Sequence, residues 1–372
     1  MPSGNIYVTK PMLPDIDQLI LGIKEIYERG VITNLGPVHN RLEKDLHAHL
    51  GGAEFVLFNN GTTALLAALA IYDFPKGSEV ITTPFTFAAT SHVISLMGLV
   101  PVFVDIEPKH MTIDVNAIEA KISENTRCVL AVHVYGYPCD VYALEKLAKK
   151  YDLRLIYDAA HAFGVSVDGR CIGSFGDVTA YSFHATKLFN SIEGGGLSLA
   201  NEDLARSAKD FRNFGIRSEE YVAAVGINGK MSEMHALFGE LNLQLVDEQI
   251  AARKKIAAIY HEILDGQPEI EIVPLPDNVV GSYQYFPVRI RRFRDFIYEG
   301  LKKEHIFARK YFYPLVTDFE CYHRDHDSRE FPNAVQAAQE VLCLPFYGEL
   351  LSEDATHIAH SIVCLLKEAR TK

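Results

Sequence analysis

Short runs of β-branched and aromatic residues recur through the first half of the chain. They lie at Phe55 to Phe58, Glu79 to Thr82, Pro101 to Val104, Cys128 to Val134, Arg154 to Tyr157, Val178 to Phe183 and Gly196 to Leu199. Between the early ones the apolar period lengthens. Thr62 to Tyr72 (TTALLAALAIY) is Ala- and Leu-rich, and Val141 to Tyr151 (VYALEKLAKKY) sets Leu144, Leu147 and Ala148 on one helical face with Glu145 and Lys149 spaced i,i+4 on another. Strands alternating with helices of that length predict crossover units, hence an α/β domain with a mainly parallel sheet of about seven strands.

After Gly229 the texture changes. Met231 to Leu264 is proline-free with recurring Leu, Ala and Ile, which predicts one or two long helices bridging to a second domain. The remainder mixes a short strand (Tyr285 to Ile290), a basic helix (Phe293 to Glu304), an aromatic segment (Tyr311 to Leu315) and a terminal helix from about Ser352. The predicted division is a large α/β domain over 1–245 and a smaller α+β domain over 246–372. Val80 to Val104 carries no Asp, Glu, Lys or Arg, but Pro84, Pro101 and His92 interrupt it, so it is read as strand, loop, helix, strand and not as a membrane span.

Of 372 residues, 48% are hydrophobic and 23% charged, an ordinary globular composition large enough for two domains. The 36 basic against 48 acidic residues give a net charge of −12, which argues against broad contact with nucleic acid or anionic lipid. Six cysteines without a C-x-x-C pair read as reduced, mostly buried thiols. The N-terminus lacks a basic start followed by an apolar block, so the cytoplasm is the expected location. The segment ECYHRDHD (Glu320 to Asp327) is dense in possible metal ligands but lacks a second ligand pair, and it reads as a polar surface loop with no metal.

The most informative chemistry is SFHATK (Ser182 to Lys187), followed by LFNSIEGGG. A lysine just beyond a hydrophobic strand stands at the carboxyl edge of the sheet, where open α/β folds bind ligands and where a desolvated amine can form a Schiff base. Most lysines after strands are simply solvated. Upstream, LIYDAAH (Leu155 to His161) ends a β-run on Asp158 and continues with small residues. Pyridoxal phosphate (PLP) needs such a pair, a lysine for its aldehyde and a carboxylate facing its ring nitrogen. The plainer reading makes Asp158 a helix cap and His161 a core histidine. A third element, FNNGTTAL (Phe58 to Leu65), is a strand, a Gly turn and a helix start, whose N–H groups and hydroxyls suit a phosphate. Neither G-x-x-x-x-G-K-[ST] nor G-x-G-x-x-G occurs, which disfavours a nucleoside triphosphatase or a standard dinucleotide dehydrogenase.

In order along the chain, TNLGP (Thr33 to Pro37), FNNGTTAL, VITTPFTFAAT, PVFVDI, HVYGYPCD, YDAAHAFG, SFHATK with EGG, GINGKMSE (Gly226 to Glu233) and YFYPL resemble the DegT/DnrJ/EryC1/StrS family of PLP-dependent nucleotide-sugar aminotransferases. The resemblance covers nearly the whole chain and implies the aspartate aminotransferase type I fold. Within the family it is similar to enzymes that aminate dTDP-4-keto-6-deoxyglucose with L-glutamate, giving dTDP-4-amino-4,6-dideoxyglucose for O-antigen or other glycans. It implies Lys187 as the Schiff-base lysine, Asp158 as partner of the pyridine nitrogen, and Thr62, Thr63 and Ser182 as phosphate contacts. Phe87 would lie against the cofactor ring and His161 near its ring oxygen. Asn228 would reach the cofactor phosphate of a partner subunit, in a homodimer with composite active sites. His184 is taken as packing. Lys230, Arg212, Arg217, Arg309 and Lys310 are candidates for the sugar diphosphate and equally well solvated charges. Two other readings stand beside this one: a different keto sugar nucleotide (3-keto, or UDP- or GDP-linked), and a PLP-binding regulator without turnover.

Overall fold

In the computed structural model, which describes residues 4–371, seven strands form one sheet. They are β1 (Glu54–Phe58), β2 (Glu79–Thr82), β3 (Val100–Phe103), β4 (Thr126–Val132), β5 (Arg154–Asp158), β6 (Val178–Ser182) and β7 (Gly195–Leu199), in the spatial order β1-β7-β6-β5-β4-β2-β3. Only β7 is antiparallel to its neighbours; the other six strands run one way.

Both faces of the sheet are covered, which is why its strands read as continuous apolar runs. Side chains alternate between the two faces along each strand. Phe55, Leu57, Ile81, Val129, Ala131, Leu155, Tyr157 and Tyr181 enter one core, packed with the helices Pro37–Leu50, Val141–Tyr151 and Glu233–Leu243. The residues between them, Val56, Phe58, Val80, Cys128, Leu130, Ile156, Val178 and Ala180, enter the other, packed with the helices Gly61–Ala70, Ala88–Leu96 and Glu202–Arg212. By that parity Asp158 and Ser182, the last residues of β5 and β6, fall on the same face as the helix Gly61–Ala70.

The C-terminal part packs the helices Val246–Leu264, Arg294–Lys303 and Ser352–Thr371 on a three-stranded antiparallel sheet of Ile270–Glu271, Phe286–Ile290 and Val341–Leu344. Ile6–Tyr7 pairs with Ile306–Phe307, so these early residues join the C-terminal core. A third, aromatic-rich core of Phe85, Phe103, Tyr135, Tyr285, Phe312 and Val316 closes the gap between this part and the large sheet.

The expected strands and helices form with ends shifted by one or two residues. Met231 to Leu264 is two helices, Glu233–Leu243 and Val246–Leu264, the first capped by Ser232. Val80 to Val104 is the tail of β2, a loop, the helix Ala88–Leu96 and β3. Among the described residues no helix is long and apolar enough to cross a membrane. One expectation is corrected: all six cysteines are free thiols, but only Cys128, Cys139 and Cys343 are buried, whereas Cys321 and Cys364 are exposed because they sit on a surface loop and the outer side of the last helix.

Candidate active site

The carboxyl ends of β1, β2, β5 and β6 open together onto a cavity of about 310 Å³, within the range of small-molecule sites. Asn60 caps the helix Gly61–Ala70, its side chain accepting from the Thr63 N–H at 2.8 Å. Its carbonyl accepts from the Ala64 N–H, so of the first N–H groups of this helix those of Gly61 and Thr62 remain for a ligand. Gly61 is required here: a Cβ would stand 2.8 Å from Ser182 Cβ. Without it the helix start could not approach the end of β6, and Thr62 and Ser182 would not line one wall. The charge complement of such a helix start is an anion.

Asp158, 5% exposed, lines the same cavity from the end of the neighbouring strand. Its Oδ2 accepts from Thr90 Oγ1 at 2.8 Å and its Oδ1 from the Ala160 N–H at 3.0 Å. Thr90 is held by Thr86 at 2.8 Å. Burial raises the Asp158 pKa, and the two hydrogen bonds together with Lys187 pull it back toward the anion. Lys187 lies in the loop after β6 and lines the same cavity. Burial lowers its pKa from 10.5 to about 8, with Asp158 opposing. An amine so placed has a substantial neutral fraction near physiological pH, which a nucleophile or a proton carrier needs.

His161 is buried, and its Nδ1 accepts from the Tyr135 N–H at 3.1 Å, leaving Nε2 as the donor. Burial and the nearby lysine keep its pKa far below the ordinary value, so the ring is neutral. It lies nearly parallel to Phe312, with centroids 5.9 Å apart. Phe87, at the start of the helix Ala88–Leu96, leaves 61% of its surface exposed although it is aromatic, and it lines the cavity. A flat apolar face held at a cavity wall suits stacking on a planar ring.

The structure therefore gathers Thr62, Phe87, Asp158, His161, Ser182 and Lys187 around one space. Thr63 and Asn228 are not among its lining residues. The Thr63 hydroxyl donates inward to Asn59 Oδ1 at 2.6 Å and also to the Asn60 carbonyl. Asn228 is exposed on a loop fastened to the end of β1 through its carbonyl and Asn59 Nδ2. Asp158 also meets the plainer expectation in part, since it accepts from a backbone N–H two residues on, but no helix follows it. The charged candidates for a diphosphate are mostly engaged. Arg212 is buried against Glu43 at 2.6 Å, Arg217 pairs with Asp210, Lys310 with Asp295, and Lys230 donates to Asn213. In the Glu320 to Asp327 loop the ligand types diverge, His323 bonding the Glu320 carbonyl and Asp327 pairing with Arg329.

Thr90, Tyr135, Tyr285 and Phe312 escaped sequence reasoning. Thr90 carried a weak signal, a hydroxyl spaced i,i+4 from Thr86 at the start of the helix Ala88–Leu96. Tyr285 comes from a segment recognised only as a strand and Phe312 from the aromatic YFYPL segment, which was noted for its resemblance but given no role at the site; both lie more than a hundred residues from Asp158.

A model of the DegT/DnrJ/EryC1/StrS aminotransferase family matches residues 15–363. Two dTDP-4-amino-4,6-dideoxy-D-glucose transaminases, from Shigella dysenteriae and Escherichia coli, are each 40% identical to the chain, over 96% and 95% of it and 98% and 96% of their own lengths. The crystal structure of DesI in the presence of its TDP-sugar product matches 100% of this chain and 96% of its own with a TM-score of 0.92 at 32% identity. Helicobacter pylori PseC, an aminotransferase involved in the biosynthesis of pseudoaminic acid, matches 98% of this chain and 100% of its own with a TM-score of 0.92 at 26% identity. With its mainly parallel seven-stranded sheet in the aspartate aminotransferase type I fold, a lysine and a carboxylate on one cavity, and a family match over almost its full length, the chain is a member of the DegT/DnrJ/EryC1/StrS aminotransferases.

Proposed function

We propose that the protein uses PLP to move the amino group of L-glutamate to the C4 ketone of dTDP-4-keto-6-deoxyglucose, forming dTDP-4-amino-4,6-dideoxyglucose. The observation that carries this reading is the placement of Lys187 and Asp158 on one cavity, Asp158 as the last residue of β5 and Lys187 in the loop that follows the adjacent parallel strand β6. The sugar and its nucleotide follow the two transaminases to which the chain is 40% identical.

The donor set fits the cofactor. The Gly61 and Thr62 N–H groups, with the hydroxyls of Thr62 and Ser182, would hold its phosphate. Asp158 would hold its ring nitrogen, Phe87 and His161 its ring, and Lys187 its aldehyde end. When bound, PLP supplies a sink for the electron pair left on carbon when a proton departs. Lys187 takes that proton from one carbon and returns it to the other, and its depressed pKa suits both directions. Asp158 favours a protonated ring nitrogen throughout. The neutral His161 donates from Nε2 without adding a second positive charge beside Lys187.

The active unit in this reading is a homodimer. The loop before Asn228 exposes Phe214, Tyr221, Val222 and Val225, and the helix Ile16–Arg29 exposes Ile16, Leu21 and Tyr27, large apolar side chains that a partner subunit would cover. Asn228 stands on that exposed loop, available to the partner's site. Six free thiols fit a reducing compartment, the cytoplasm, where the product would supply glycan or O-antigen assembly.

The test is borohydride reduction of the holoprotein followed by peptide mapping. A pyridoxyl adduct is expected on Lys187, and its absence there sinks the assignment. The aminated cofactor form is then offered keto sugars in parallel. Preference for a 3-keto or UDP-linked sugar over dTDP-4-keto-6-deoxyglucose would replace the proposed acceptor, and a holoprotein that consumes no glutamate would make it a binder.

A further inference from the structure

Lys187 belongs to no helix or strand, so no ladder of backbone hydrogen bonds holds it. Its own N–H donates to the His184 carbonyl at 2.8 Å, closing a turn. The peptide groups on either side are held by one side chain. Gln284, 1% exposed, accepts the Leu188 N–H on Oε1 at 2.6 Å and donates from Nε2 to the Thr186 carbonyl at 3.3 Å. Rotating the amide by half a turn would set donor against donor and acceptor against acceptor, so the two contacts fix its orientation.

Gln284 is itself anchored. Arg253, buried on the helix Val246–Leu264, donates from one guanidinium nitrogen to the carbonyls of Tyr283 at 3.2 Å and Gln284 at 3.1 Å. The next residue, Tyr285, lines the active-site cavity with its ring 5.9 Å from Lys187 Nζ. Neighbouring residues just before the strand Phe286–Ile290 thus engage the two ends of the lysine, Gln284 at its backbone and Tyr285 near its amine.

We propose that Gln284 is a positioning residue for Lys187: its amide clamps the backbone on both sides of the lysine, so the flexible side chain swings from a fixed root. This rests on the reading of Lys187 as the cofactor lysine. The physical need is clear, because a proton carrier must reach two carbons in turn, and displacement by about 1 Å can cost a hundredfold in rate.

Gln284→Met keeps the length of the side chain and removes both hydrogen bonds. It is expected to lower kcat roughly 10- to 100-fold while the KM values for glutamate and the keto sugar stay within about twofold, the pattern of a lost transition-state contact and not of lost binding. Gln284→Glu keeps the acceptor for Leu188 but faces Thr186 with an acceptor, and an intermediate kcat is expected. Unchanged kcat in Gln284→Met, with only a lower Tm or a raised KM, overturns the inference. If Gln284→Met does not fold, the same split of kcat against KM in Gln284→Glu decides. Borohydride labelling separates the two layers: no adduct on Lys187 in the wild type removes the underlying reading, whereas an adduct in wild type and variant alike with equal kcat removes only the clamp.

Discussion

At the scale of single residues, the behaviour of Lys187 is a contest between two terms of opposite sign. Burial penalises its ammonium and the Asp158 carboxylate favours it, and burial prevails, bringing the pKa from 10.5 to about 8. In the unfolded chain the ordinary value returns. Between these two values the unfolded chain holds a proton that the folded chain has released, so this group makes the fold more stable as pH rises through that window. Below about 8 the folded apoprotein carries the buried charge at a cost. Apo Lys187→Met is therefore expected to resist urea better than the apo wild type at pH 7, with the advantage shrinking as the pH climbs from about 8 toward 10.5. Urea titrations of both proteins at several pH values measure this, and a gap that does not change with pH would contradict it. The lysine and the aspartate were legible in the sequence because each comes at or soon after the end of a hydrophobic run, the aspartate with small residues behind it. The hydroxyl that tunes the aspartate was not: Thr90 reaches Asp158 across 68 positions of chain. His161 was named, but its tautomer is set by a contact with Tyr135 that bridges 26 positions.

At the scale of elements, the phosphate wall depends on how closely a helix start can approach a strand end. The helix Gly61–Ala70 meets β6 at Gly61 and Ser182, and β7 passes the turn before it so closely that a Cβ at Gly195 would stand 2.6 Å from the Asn60 carbonyl. Gly61→Ala introduces a methyl group 2.8 Å from Ser182 Cβ, below any normal carbon contact, so the helix start must retreat from the wall. PLP affinity, followed by fluorescence quenching, is expected to fall roughly tenfold or more, the equivalent of one or two lost hydrogen bonds. Far-ultraviolet circular dichroism should stay unchanged, because the sheet cores do not involve Gly61. Undiminished affinity would show that the wall does not hold the phosphate. The alternation of apolar residues that builds these elements was readable directly. The break between the helices Glu233–Leu243 and Val246–Leu264 was not, since Gln244 and Leu245 include neither glycine nor proline and the apolar pattern runs on across them.

At the scale of the whole molecule, the composite-site reading makes a prediction no single chain can satisfy alone. Lys187→Ala and Asn228→Ala homodimers are each expected to be impaired. When the two are unfolded together and refolded as a mixture, activity should rise to roughly a quarter of wild type, since about half the dimers are hybrids and each hybrid holds one intact site. Activity no higher than the average of the parents would place Asn228 in the site of its own chain. The sequence by itself determined the alternating strands and helices, the mainly parallel sheet, and the strand-end positions of Asp158, Ser182 and Lys187, because side-chain periodicity and turn chemistry are local properties written residue by residue. It also marked the helix start after β1, through a cap and a glycine. Tertiary structure alone decided which of those positions share a cavity, that the Thr63 hydroxyl turns away from it, and that Arg212 is committed to Glu43. It alone brought Gln284 and Tyr285 to Lys187 across roughly a hundred residues of chain. The reason is physical: a hydrogen bond or a desolvated charge depends on distance in space, and only the packing of strand ends against a distant segment sets that distance.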